Sequence, residues 1–151
     1  MTDNDMFHRG ESMQYISNSV EETERLGAKL AESLPAGSIV AFTGDLGAGK
    51  TVFARGFARG LGVTEAVSSP TYTIAQEYQL AGNLRLYHLD LYRISSPQAG
   101  LAFGVDEFLN DPKAFALVEW PERIGDVIPD DAIKIFIRHI DSGTREISVN
   151  D

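Results

Sequence analysis

The residues Gly44-Asp45-Leu46-Gly47-Ala48-Gly49-Lys50-Thr51 fit the pattern G-x-x-x-x-G-K-[ST], in which a glycine-rich loop cradles phosphate. Gly44, Gly47 and Gly49 leave the backbone free to take positive φ and let a phosphate approach without meeting a Cβ. Lys50 would set its ammonium on the β- and γ-phosphates, and the Thr51 hydroxyl would ligate Mg2+. The bland alternative is a glycine-rich turn from strand to helix with a solvated lysine. The last four residues, their spacing and both flanking segments favour the phosphate loop.

A nucleotide hydrolase built on such a loop needs a carboxylate at a nearby strand end to hold Mg2+, directly or through water, and a group that orients the attacking water. Glu119 follows a buried apolar run, and open α/β sheets place ligands at the carboxyl ends of central strands, so Glu119 is the better metal candidate. Asp90, after the run 84–89, is left to position water or to support the metal from behind. A helix-capping or solvated acid is the competing reading of Glu119. His88 shares a face with Asp90 and could polarise it, although a hydrogen-bonded structural histidine is the commoner case. Trp120 offers a π face to a base or another ring, with core packing as an equal alternative. Arg93 could compensate phosphate charge, or pair with Asp90 or Glu119. For Ser69 and Thr71, on either side of Pro70, a switch-like contact to the γ-phosphate side competes with ordinary turn hydrogen bonds. With three histidines and no cysteine, a zinc site is not expected.

The elements that must position these groups are legible around them. Ile39-Val40-Ala41-Phe42 reads as a buried strand entering the loop. The helix behind the loop turns Phe53, Ala54, Phe57, Ala58 and Leu61 inward, with Arg55 and Arg59 outward. Gly56 and Gly60 weaken that helix by about 1 kcal/mol each relative to Ala, which predicts close packing on a neighbour, and Gly62 suits its C-terminal cap. Upstream, residues 13–17 read as a short strand and Ser19-Val20-Glu21-Glu22 as a capping box. In it the Ser19 hydroxyl accepts from the Glu22 N–H, and the Glu22 carboxylate reaches back to the Ser19 N–H. The next helix sets Thr23, Leu26, Ala28, Leu30 and Leu34 mostly on one side and stops at Pro35-Ala36-Gly37.

Downstream, 72–80 and 84–90 form a hairpin across Ala81-Gly82-Asn83, Ser96-Pro97 opens a helix, and 103–109 forms another short one. Ala114-Phe115-Ala116-Leu117-Val118 is a central strand covered on both faces, and 133–138 pairs with 145–149 around Asp141-Ser142-Gly143. The expected architecture is α/β: a single-domain P-loop NTPase fold over residues 13–151, with a mixed central sheet flanked by helices, behind a disordered tail over residues 1–12.

A formal net charge of −9 and the lack of any cluster of five basic residues argue against a free-standing nucleic-acid binder, because grip on phosphate backbones comes from Lys and Arg. A role in a nucleic-acid pathway would run through a protein partner, although an acidic excess is more often simply a solubility device. No apolar run is long enough for a membrane span, the first residues are acidic rather than basic, and the absence of cysteine suits the cytoplasm.

Together, GDLGAGKT at 44–51, SPTYT at 69–73, HLDLYR at 88–93 and VEWPER at 118–123 resemble the bacterial TsaE (YjeE) family in order and spacing, from Ser19 to the last hairpin. The resemblance implies a P-loop ATPase required for making threonylcarbamoyladenosine in tRNA, acting with TsaD and TsaB and meeting tRNA only through them. It implies ATP on Gly44, Asp45, Leu46, Gly47, Ala48, Gly49, Lys50 and Thr51, Mg2+ on Thr51 and Glu119, and catalytic roles for Asp90 and Lys50. It further implies a switch segment at Ser69 and Thr71, and Trp120 close to the nucleotide. Its weakest marks are adenine contacts near Ser19 to Thr23 and at Arg145. By analogy with finger residues supplied in trans, activity should be weak alone and rise with partners. A small-molecule phosphotransferase on the same loop is the alternative, but it would need an acceptor pocket and a basic lid, and after Arg93 little is basic until Lys113. A nucleotide-binding module without turnover is a third reading, against which the intact Lys50, Thr51, Asp90 and Glu119 count.

Overall fold

The computed structural model describes residues 12–44, 49–67 and 74–150 of the chain. Of the tail expected over residues 1–12, only Ser12 falls within these bounds, and Asp45, Leu46, Gly47, Ala48, Ser69 and Thr71 lie outside them. Seven strands hydrogen-bond into one sheet: β1 (Met13–Ser17), β2 (Ile39–Gly44), β3 (Ala75–Gln79), β4 (Arg85–Asp90), β5 (Ala114–Glu119), β6 (Ile133–Asp141) and β7 (Thr144–Asn150). Their order is β1-β7-β6-β2-β5-β4-β3. The central strands β6, β2, β5 and β4 run parallel, with β3 antiparallel on β4 at one edge and β7 and β1 antiparallel beyond β6 at the other. This is the expected mixed sheet of a single-domain α/β protein.

Strand alternation divides the core between two faces. Val40, Phe42, Leu86, Phe115, Leu117 and the β6 isoleucines Ile133, Ile135 and Ile137 pack under two helices, α1 (Val20–Glu32) and α2 (Lys50–Gly60). Ile39, Ala41, Tyr87, Leu89, Ala116 and Val118 pack on the opposite side with α4 (Val105–Leu109), which follows α3 (Pro97–Phe103). Every residue of β5 is buried, as its continuous apolar run requires of a strand between β2 and β4. Along β6, by contrast, Lys134 and Phe136 are exposed between buried isoleucines and Arg138 is exposed just beyond them, because that strand is covered on one face only.

The helix that follows the glycine-rich loop lies directly on α1. A Cβ at Gly27 would stand 2.5 Å from the Phe53 carbonyl oxygen, one at Gly60 2.5 Å from that of Ala28, and one at Gly56 would strike the Glu24 carbonyl. The helix glycines are thus explained by backbone-to-backbone approach. Phe53 and Phe57, fully buried from this helix, contribute roughly 1.5–3 kcal/mol each by removal from water. Arg55 and Arg59 face outward but both clamp Glu24 of α1, at 2.8 Å each. Gly62, at φ +99, ends α2: Val63 N–H donates to the Ala58 carbonyl and Gly62 N–H to that of Arg59.

Three local expectations shift. Glu22 N–H donates to Ser19 Oγ at 3.1 Å, but the Glu22 carboxylate reaches one residue further back and takes the Asn18 N–H at 2.7 Å instead of that of Ser19. The helix expected over 103–109 is divided at Gly104, whose φ of +93 closes α3 on its Ser96 cap and starts α4. The second hairpin is longer than its apolar core, with β6 running to Asp141 and the Gly143 N–H donating to Asp141 Oδ1. Among the described residues no helix is long and apolar enough to cross a membrane.

Candidate active site

The N-termini of the two long helices are finished in opposite ways. At α1 the Ser19 hydroxyl takes a backbone N–H, and Glu21 and Glu22 stand in the first turn, complementing the positive end of the helix dipole. At α2 the cap is Gly49, at φ +99, with no side-chain cap hydrogen bond and no acid in the first turn. The first helical residue there is Lys50, a cation where the dipole favours an anion. The positive end of this helix dipole is therefore not complemented by an acid of its own first turn. Gly49 is constrained by its φ, and the space beside it is filled by the flexible Arg145 side chain, whose Nε would lie 2.9 Å from a Cβ and which reaches across from β7. Gly44, at the end of β2, is needed for another contact, since a Cβ there would stand 2.6 Å from the Ile137 carbonyl oxygen of neighbouring β6.

The parallel ladder brings the two candidate acids side by side. Phe42 of β2 is registered with Glu119 of β5, and Glu119 with Asp90 of β4, so both acids end adjacent parallel strands beside the strand that leads into the loop. By alternation from Leu86 and Leu117, His88, Asp90 and Glu119 fall on the face that α2 covers. Glu119 is 4% exposed and His88 1%, and His88 Nε2 lies 2.7 Å from Glu119 Oε2. His88 is thus a buried, hydrogen-bonded histidine, the commoner case, and its partner is Glu119 and not Asp90. Against an ionised carboxylate, which can only accept, Nε2 would be the donor in that bond. Asp90 is half-buried and its Oδ1 accepts from the Tyr92 N–H at 3.1 Å. Burial raises its carboxyl above the usual aspartate range; the Tyr92 N–H opposes the shift, nearby Glu119 reinforces it, and the charges of His88 and Lys50 pull it back.

Trp120 follows Glu119 directly and sits at φ 59, ψ 48, a left-handed conformation that is an outlier for so bulky a residue. The turn swings the indole over the loop end: Lys50 Nζ lies over the ring at 5.0 Å from its centroid. The Tyr92 ring meets Trp120 at 5.0 Å, and the Arg123 guanidinium stacks on both rings at 5.5 Å. The single tryptophan therefore borders Lys50 and is also partly buried against the core cluster that includes Leu89 and Val118, so both roles weighed for it have a contact here. Arg123 and Tyr92 were not marked by residue type alone. Arg123 comes to the rings because the left-handed backbone at Trp120 is followed by the 3-10 turn Pro121–Arg123. Arg93, by contrast, is exposed and, among the described residues, pairs with neither Asp90 nor Glu119.

Gly44, Gly49, Lys50, Thr51, Asp90, Glu119 and Trp120 thus gather at the carboxyl ends of β2, β4 and β5 and the start of α2. The oxygens available to a cation here would be the Thr51 hydroxyl and the two carboxylates, hard donors of the kind Mg2+ takes. Among the described residues no three His, Cys, Asp or Glu gather into a metal cage. Such a site fits a cation held by one or two carboxylates together with a ligand's phosphates.

Over residues 17–147 the chain matches the family described as "Threonylcarbamoyl adenosine biosynthesis protein TsaE". It is 37% identical over 137 residues to the tRNA threonylcarbamoyladenosine biosynthesis protein TsaE of Treponema pallidum, covering 91% of this chain and 99% of that one. To the protein of the same name from Bacillus subtilis it is 41% identical over 128 residues, covering 85% of this chain and 78% of the relative. The crystal structure of Bacillus subtilis YdiB superposes with a TM-score of 0.78 at 34% identity, covering 95% of this chain and 87% of that one. With the family model matched over residues 17–147 and relatives 37–41% identical over most of its length, this chain belongs to the TsaE family.

Proposed function

We propose that the chain is an ATP-binding and ATP-hydrolysing subunit of tRNA threonylcarbamoyladenosine biosynthesis, working in the cytoplasm with TsaD and TsaB. The observation that carries this reading is the start of α2, where an uncapped helix end bearing Lys50 lies beside two strand-end carboxylates. Polyphosphate supplies the negative charge that this end lacks. Lys50 leaves the Trp120 ring to neutralise the β- and γ-phosphates, and Gly49 lets the backbone approach them. Thr51 and Glu119 would hold Mg2+, which when bound neutralises charge on the phosphate oxygens. Asp90, half-buried with a raised proton affinity, orients the attacking water and is placed to take up its proton. Trp120 borders the nucleotide, and Ser69 and Thr71 form the segment that responds to the γ-phosphate.

Hydrolysis needs groups that a partner completes, so turnover is weak in isolation and rises in the complex. The net charge of −9 makes the chain a poor grip for tRNA and suits a subunit whose partners hold the RNA. The test is reconstitution with TsaD and TsaB. Modified adenosine in tRNA should require this chain together with ATP, and modification that proceeds normally without it would remove the reading.

A further inference from the structure

We infer that His88 is a positioning residue for Glu119, holding the carboxylate through Oε2 in the orientation in which it can receive a divalent cation. The inference rests on the reading of Glu119 as the acid that holds the metal. The 2.7 Å contact joins two side chains that are 1% and 5% exposed. It is anchored on both sides: His88 is registered with Leu117 and Asp90 with Glu119, so the imidazole meets the carboxylate of the residue diagonally across an intact parallel ladder. Neither Cα can move without breaking that ladder.

The surroundings make the histidine costly unless the bond has a use. Leu86 and Leu117, two residues before it and directly opposite, are apolar core, and a leucine at 88 would continue their packing. The chain instead buries an imidazole whose Nδ1 has no hydrogen-bond partner among the described residues. The ring's polar contact is thus spent on one oxygen of Glu119. A hydrogen bond that fixes a ligating carboxylate from behind is worth about 10- to 100-fold in metal affinity.

Mn2+ binding to the ADP-saturated protein, followed by the paramagnetic resonance of free Mn2+, tests this role. His88→Leu and His88→Asn, whose amide is too short to reach Oε2, should each weaken Mn2+ about 10- to 100-fold, with metal-free ADP binding unchanged. His88→Gln, with its amide where Nε2 lies, should recover most of the affinity. Wild-type Mn2+ affinity in the folded Leu or Asn variant, or no recovery with Gln, would overturn the assignment. Loss of the native circular dichroism spectrum in both the Leu and Asn variants would do the same, making His88 a purely structural group. Failure of the wild-type protein to bind ADP would instead remove the nucleotide reading, and this inference with it.

Discussion

Lys50 Nζ lies 5.0 Å from the centroid of the Trp120 ring, the chain's one tryptophan. Such a contact holds an ammonium by about 0.5–1 kcal/mol at an exposed site and about 2 kcal/mol when desolvated, weak beside the attraction of two phosphates. Binding of ADP with Mg2+ should therefore draw the lysine off the indole and change the tryptophan emission. Lys50→Ala should shift the emission before any nucleotide is added and abolish the response. Unchanged wild-type emission at saturating ADP would contradict the placement.

Asp90 should trade stability against turnover. Its carboxyl binds protons more tightly folded than unfolded, chiefly through burial. Its stabilising contribution is therefore full below the unfolded value and lost as pH rises through the higher folded value. At neutral pH the charged group is a mild cost, screened by the solvent that still reaches it. Asp90→Asn should melt at the same or a slightly higher temperature at pH 7, with the difference vanishing in acid, and should release phosphate about 100-fold more slowly or worse. Wild-type turnover in the folded variant would remove Asp90 from the chemistry.

Gly56→Ala inverts the usual helix rule. On an isolated helix the change gains about 1 kcal/mol, but here the new methyl would strike the Glu24 carbonyl of α1. Urea unfolding should show a loss of about 1–3 kcal/mol. Because α2 begins at Lys50, the same displacement should weaken ADP binding in the folded fraction. A variant more stable than wild type would show that the two helices have room to spare.

What could be read from residues alone follows the range of the interactions involved. The strand ending at Gly44 and the helix opening at Lys50 were legible because apolar spacing and glycine freedom at a helix start act over a few residues. The continuous apolar run of β5 likewise announced a strand covered on both faces. The partner of His88 was not legible: a two-residue repeat places it beside Asp90, whereas its bond to Glu119 depends on which strand pairs with β4 and in what register. The stack of Arg123, Tyr92 and Trp120 depends on the left-handed backbone at Trp120, which no residue pattern signals for a tryptophan. Glu22 reaches Asn18 because the chain turns there from β1 into α1, a tertiary detail that the local capping pattern lacks.

The most direct test of the central claim is calorimetric titration of the purified protein with a non-hydrolysable ATP analogue and Mg2+, alongside Lys50→Ala. One analogue should bind per wild-type chain, with affinity falling by about 100-fold in the variant as its charge-assisted contacts to phosphate are lost. No binding to the wild-type protein, or equal binding to both, would contradict a phosphate site at the start of α2.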